Sequence, residues 1–384
     1  MNDVTLSASL FHGGAELEAV EGGVRLHRLP LPYRGREADG QLRLMESQPS
    51  AVRLAFQTRA TAIELELRAT RVVYKGLARE RGAVDVTIDG DHHGSHPLRH
   101  GNVLEIDMGT GATASLGGEI DRVSWKRLAP GDKTVEIWLP HNEQVDIVRL
   151  RADAPVHPLR DERPVWVHHG SSISHGSNAA TPLRIWPVVA ARVAGMNLRN
   201  LGFGGSAVVD PFMARVIRDA PADAISVKLG INVVNLDAMR ARSFVPAVHG
   251  FLDTIREGHP STPLALVSPI FCDIHEATPG PGSFDLDALR AGRVRFVATG
   301  DPARTREGSL TLEVIRDLLA QVVNDRSDDK HLHFISGLEL YGSEDAERVP
   351  LPDGLHPDTA THDLIGRRFV GAAFGPQGVL RAQT

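Results

Sequence analysis

The sequence predicts an α/β protein in two parts: an N-terminal all-β sandwich, jelly-roll-like, followed by an α/β/α layer built on a parallel sheet. Three observations predict it. Apolar residues recur with period two up to about residue 151. From Val165 onward, short apolar runs alternate with stretches of helical period, the pattern of strand–helix–strand units. Between the two lies a charged, proline-rich stretch, Asp153 to Pro164 with Pro155, Pro158 and Pro164, which reads as a linker. A chain of 384 residues is long for a single core, so the expected domains are 1–153 and 164–384.

In the first part Val52, Leu54 and Phe56 alternate with Arg53, Ala55 and Gln57, and Ile63, Leu65 and Leu67 with Glu64, Glu66 and Arg68. Val84, Val86 and Ile88 repeat the pattern and run into Asp89-Gly90, a hairpin signal. Val135, Ile137 and Leu139 repeat it again, and no stretch carries a convincing helical period. After the linker, Val165–His168 reads as a strand. Pro182–Ala194 reads as a helix with Thr181 as N-cap; Pro187 inside it implies a kink or a later start. Then follow strand Ala224–Leu229, helix Phe244–Glu257 and strand Leu264–Ser268. Leu312, Ile315, Leu319 and Val322 recur at helical spacing, His333–Ser336 is a last strand and Thr359–Ala373 a last helix.

Composition narrows the partners. A net charge of −6 gives no electrostatic footprint for nucleic acid or an anionic membrane. No apolar run approaches the roughly 20 residues that span a bilayer. Met1-Asn2-Asp3-Val4 lacks the basic-then-apolar layout of a signal peptide, so a cytoplasmic protein is expected. The single cysteine, Cys272, cannot form an internal disulfide and reads as a plain buried thiol.

The chemistry concentrates where apolar runs end. Val165 to Gly170 leads into Ser171-Ser172-Ile173-Ser174-His175-Gly176, a turn that presents hydroxyls at the carboxyl end of a strand. Nucleophilic serines sit in such places because nearby backbone N–H groups can meet a developing oxyanion. Three more pieces follow in order: Asn200-Leu201-Gly202-Phe203-Gly204-Gly205, Leu229-Gly230-Ile231-Asn232, and Asp353-Gly354-Leu355-His356. Together they offer a nucleophile, backbone and amide donors, a base and a carboxylate to orient it, the parts of an acyl-transfer site. Taken singly, Gly205 also fits a turn glycine, Asn232 a helix cap and Asp353-Gly354 a simple turn. His168 and His169 read as satisfied core groups; His92, His93 and His96 lack a pairing that would hold a metal, His331 and His333 alternate on a strand, and no metal is expected at either place. Trp125 and Trp138 could form a sugar platform but more readily pack in a core.

The four pieces, in this order, resemble the SGNH (GDSL) hydrolase superfamily across roughly residues 164–380. Gly170-Ser171-Ser172-Ile173 matches its Gly-Asp-Ser-Ile/Leu block, with Ser171 in place of the Asp. The resemblance implies a flavodoxin-like SGNH domain with Ser172 as nucleophile, His356 as base and Asp353 as its orienting acid. It implies an oxyanion hole from the N–H of Ser172, the N–H of Gly205 and the side-chain amide of Asn232. A β-sandwich of carbohydrate-binding-module-like kind ahead of such a domain is similar to two groups: acyltransferases of tetracycline-type biosynthesis, and esterases that deacetylate sugars. The expected function is therefore serine-dependent O-acyl transfer of an aryl or short acyl group, for example salicylyl, from a CoA thioester to a polyketide hydroxyl. The alternative is an esterase or deacetylase acting on small glycosides. Small-molecule acyl donor and acceptor are the expected partners, with acyl-CoA as co-substrate and no resident cofactor.

Overall fold

The computed structural model describes residues 1–381. The chain divides into two compact units: residues 1–162 with 180–183, and residues 163–179 with 184 onward.

The first unit is built on two sheets. One runs in the order 113–116, 102–106, 62–74, 144–152, 23–27, 16–20; strand 2–4 also pairs with 144–152, and 121–126 with 62–74. The other runs 156–158, 53–58, 133–138, 83–88, 91–97, with 11–12 also on 53–58. Pairing is antiparallel except between 62–74 and 102–106. The period-two apolar residues explain why the strands stack: Leu54, Phe56, Ile63, Leu65, Leu67, Val84, Val86, Val135 and Ile137 meet in one buried cluster. Each such side chain contributes about 1.5–3 kcal/mol when fully removed from water.

Three local features depart from the sequence reading. Helices Leu31–Arg36 and Gly40–Glu46 lie in the half read as helix-free. The second is started by Asp39, whose carboxylate accepts from the Leu42 N–H at 2.8 Å. The stretch read as a linker carries strand Val156–Pro158, because its backbone completes the edge of Arg53–Thr58. Arg53, on the polar side of the Val52–Gln57 alternation, is buried; its guanidinium donates to Glu136 at 2.7 Å and Asp161 at 2.8 Å, and lies 4.9 Å over the Trp138 ring. Trp125 and Trp138 are both buried, so neither offers a face to a sugar ring.

The second unit holds strands β1 (Val165–Gly170), β2 (Asn197–Gly202), β3 (Ala224–Lys228), β4 (Leu264–Val267) and β5 (Leu332–Ile335). Its helices are α1 (Ser172–His175), α2 (Trp186–Ala194), α3 (Pro211–Arg218), α4 (Ile231–Asn235), α5 (Ala241–Gly258), α6 (Leu312–Asp325) and α7 (Thr359–Ala373), among shorter turns. The sheet order is β2-β1-β3-β4-β5, all parallel, which is the flavodoxin-like order. Pro187 falls in the first turn of α2 and delays its start to Trp186, where a missing N–H does no harm. Both faces of β1 are covered, and its residues from Trp166 to Gly170 are all buried. Trp166 packs on Trp186 and Phe369 of α2 and α7, and His169 stacks on Phe251 of α5. The chain leaves β1 toward β2 on one side and returns to β3 on the other. The loops after β1 and β3 therefore adjoin at the topological switch point, where open α/β sheets hold their ligands.

Candidate active site

The turn after β1 gives its three hydroxyls three different fates. Ser171 caps the four-residue helix α1, its Oγ facing the Ile173 N–H at 3.4 Å. Ser174 is sealed inside and meets His168 Nε2 at 2.8 Å. Ser172, first in α1, reaches the His356 ring: Oγ lies 2.9 Å from Nε2 across 184 positions of sequence. Glycine is required for this turn to sit so low. A Cβ on Gly202, at the end of β2, would lie 2.6 Å from the His175 backbone nitrogen. Buried Asn200 ties the same corner, its Nδ2 donating to Ser174 O at 2.9 Å and its Oδ1 accepting from the Gly202 N–H at 3.0 Å.

His356 and Asp353 share one short loop, opened by Gly354 in a left-handed turn at φ 81°. Asp353 Oδ1 accepts from the backbone N–H groups of Leu355 (2.9 Å) and His356 (2.7 Å), and Oδ2 lies 2.8 Å from His356 Nδ1. Burial works to raise the Asp353 pKa. The hydrogen bond and charge of His356, with the two backbone donors, outweigh it and hold the carboxyl below its ordinary range. An ionised carboxylate can only accept, so Nδ1 carries the proton. Nε2 is then left as the acceptor for the Ser172 hydroxyl, the state a general base needs.

The expected oxyanion donors follow the ends of β1, β2 and β3. As the first residue of α1, Ser172 has an N–H with no intrahelical acceptor. Gly205 adopts φ 70° in the loop after β2, and that loop is held to β1 by Phe203 N–H donating to Gly170 O at 2.8 Å. Asn232, on α4 just after β3, accepts from the Ala207 N–H through Oδ1 at 3.0 Å. That bond sets the orientation of its amide and leaves the NH₂ on the other arm. The structure thus brings Ser172, His356 and Asp353 into one hydrogen-bonded chain, and ties Asn232 to the Gly205 loop.

A second serine–histidine contact stands in the same unit. His168 is fully buried between Ser174 Oγ and Ser226 Oγ (2.7 Å), with burial pushing its pKa well below the usual value. It has no carboxylate partner among these contacts and no exposed hydroxyl, so it reads as a satisfied core group. Cys272 is also buried; burial pushes its thiol up to about 12, and Sγ faces Gly354 O at 3.4 Å. His92 and His96 lie on the strand 91–97 of the first unit, where His96 Nε2 meets the Trp125 indole N–H at 2.9 Å.

Residues 162–276 match the GDSL-like lipase/acylhydrolase family, a span that includes Ser172, Gly205 and Asn232; the Asp353–His356 loop lies beyond it. The salicylyl-acyltransferase SsfX3 from a tetracycline biosynthetic pathway is 25% identical, with 96% of this chain and 95% of that one covered at a TM-score of 0.77. The second unit thus resembles the SGNH (GDSL) hydrolases in sequence and in fold. Two further structures share the fold. A putative GDSL-like lipase from Bacteroides ovatus is 18% identical, covering 94% of each chain at a TM-score of 0.65. A family two carbohydrate esterase from Clostridium thermocellum, solved with cellohexaose, is 14% identical, covering 93% of this chain and 96% of that one at 0.56. No curated protein sequence matches.

Three residues of the second unit escape motif reading. Phe296 lies on a two-stranded ribbon (Gly282–Phe284 with Phe296–Ala298) in the long excursion after β4, and meets the His356 ring edge-on at 5.3 Å. Lys228, at the end of β3, is buried, and burial lowers its ammonium to about 8. Asn178 donates to Asp353 Oδ2 at 3.0 Å. Phe296 and Asn178 have no signal in one sequence, because each meets its partner far away along the chain.

Proposed function

We propose that this protein is a serine-dependent O-acyltransferase that moves an aryl or short acyl group from a CoA thioester to a hydroxyl of a polyketide natural product. The observation that carries this reading is the likeness to SsfX3 over nearly the whole length of both chains, first unit included. In this reading Ser172 is the nucleophile, His356 the base and Asp353 the orienting acid. His356 Nε2 takes the Ser172 proton as Oγ attacks the thioester carbonyl. The tetrahedral oxyanion is met by the N–H groups of Ser172 and Gly205 and the Asn232 amide. The C–S bond then breaks, and the proton on Nε2 leaves with the CoA thiolate. In the second half an acceptor hydroxyl gives its proton to Nε2 and attacks the acyl-serine. The new ester forms, and Ser172 recovers its proton. The reaction is assigned to the cytoplasm, where acyl-CoA is available, and needs no resident cofactor or metal.

A second reading replaces the acceptor alcohol by water. The acylhydrolase family match favours it, and small acylated glycosides would be the substrates. The triad is common to both readings; what separates them is whether the site excludes water once the acyl-enzyme has formed.

Intact-mass spectrometry with a panel of acyl-CoA donors tests the proposal. The expected result is a mass increase equal to the acyl group, absent in Ser172→Ala, and its transfer to an added polyketide alcohol. CoA release that never yields an esterified acceptor, together with fast cleavage of acetyl glycosides, would establish the esterase instead. Acyl-enzyme formation in Ser172→Ala would remove the assigned nucleophile.

A further inference from the structure

We propose that Asn178 is a positioning residue that holds the Asp353 carboxylate in register with Ser172; this rests on the reading of Ser172, His356 and Asp353 as a working triad. Three of the four hydrogen bonds on that carboxylate come from its own loop: the N–H groups of Leu355 and His356 on Oδ1, and His356 Nδ1–H on Oδ2. Those three would move together if the loop shifted as a body, and would say nothing about where the nucleophile is. Asn178 supplies the fourth. Its Nδ2 donates to Oδ2 at 3.0 Å from 175 positions away in sequence, and it stands only six residues after Ser172. The turn that carries the nucleophile therefore also grips the acid, and a single amide ties the two halves of the triad to one another.

The backbone is arranged for this contact. Asn178 sits in the left-handed region at φ 65°, which Asn tolerates better than most residues, and its chain neighbours are fixed. Ser177 O lies 2.9 Å from Nε2 of buried His362 on α7, and Ala179 N–H donates to Gly176 O at 3.0 Å. Asn178 also shares Oδ2 with the base. A neutral donor there spreads the carboxylate's charge over two partners without adding charge near the imidazole. The titratable groups around this point include Asp353 and His356 themselves, His362 with Asp358 and Asp363 near it, and Cys272 with Asp273 and Glu276 near it. Burial lowers His362 to about 4 and raises Cys272 to about 12, so neither changes charge near neutral pH.

Two variants keep the left-handed backbone and change only the side chain. Asn178→Gly removes the donor without strain. Asn178→Asp replaces it with a second carboxylate. With whichever ester or thioester the unsubstituted enzyme turns over, Asn178→Gly is expected to lower kcat by about tenfold and leave KM near its original value, as loss of one orienting hydrogen bond should. Asn178→Asp is expected to raise the pH of the acid limb of kcat/KM by about one unit, since a second anion favours the imidazolium. A thermal midpoint close to that of the unsubstituted protein marks both variants as folded. The proposal is overturned if both variants keep kcat, or if both lose it equally at every pH with the limb unmoved, which is what a merely structural loop residue would give. Failure of Ser172→Ala to abolish acylation would instead remove the triad reading on which it rests.

Discussion

Replacing Asp353 by Asn tests the triad at its least obvious point, because the side chain keeps its shape and loses only its charge and two acceptor sites. Oδ1 now receives two backbone N–H groups, and Oδ2 receives His356 Nδ1–H and the Asn178 amide. An amide has one oxygen, so it can serve only one of these pairs. If the oxygen faces His356, the new NH₂ opposes two buried backbone donors, at a cost of about 1–3 kcal/mol for each group left unpaired. If the oxygen faces the backbone, the NH₂ faces His356 Nδ1, which can then only accept. The imidazole proton moves to Nε2, and Nε2 no longer accepts from Ser172 Oγ. The second arrangement is the cheaper one and switches the base off. Loss of a correctly oriented base by this route amounts to about 10³–10⁴ in rate, or about 4–5.5 kcal/mol of barrier. The assay is the initial rate of acyl-enzyme formation at neutral pH, followed by stopped-flow with an activated ester, with circular dichroism to show an intact fold. An Asp353→Asn protein that acylates within about threefold of the unsubstituted rate would refute the assignment of tautomer and base together.

Other consequences follow from the same geometry. Asn232→Ala should lower kcat by about 10²–10³ with little change in KM, measured by steady-state kinetics, since the amide acts on charge that exists only in the transition state. Ser174→Ala should cost about 1–3 kcal/mol of stability in urea titration, because it strips the partner from sealed His168 Nε2, while one acyl group per chain still attaches. A loss of labelling in that variant would move the nucleophile away from Ser172. His169 and His362 are buried neutral, with pKa values lowered by burial to about 4 from 6.5. The unfolded chain binds their protons first, so their stabilising effect is complete above about pH 6.5 and is lost as pH falls toward about 4, by up to about 1.4 kcal/mol per histidine per pH unit. Urea midpoints that stay level between about pH 7 and about pH 5 would contradict this sign.

Much of the molecule was legible because it is written in local pattern. Alternation exposed the sandwich strands, and Leu54, Phe56, Ile63, Leu65, Leu67, Val84, Val86, Val135 and Ile137 all enter one core. Helical spacing located α5, α6 and α7 to within a few residues. The short helices before residue 46 were missed because each has under eight residues and too little period to stand out, although Asp39 marks the start of one. Arg53 misled because alternation reports polarity and not partners: Glu136 and Asp161 make its burial possible. Asn178 could not be found at all. A polar residue six positions beyond a serine has no pattern until the chain brings Asp353 back beside it.

The sequence by itself determined the strand–turn–helix context of the serines, the Asp-x-x-His spacing that puts acid and base on one loop, and the division into two fold types. These are short-range properties, set by backbone preference and side-chain period. The tertiary structure decided which of three neighbouring hydroxyls meets the imidazole, which of two buried serine–histidine contacts has a carboxylate behind it, and which amide joins the two ends of the site. Those choices turn on differences of a few ångströms between groups up to 184 positions apart, and only the assembled parallel sheet, with β1 and β3 side by side, fixes distances of that kind.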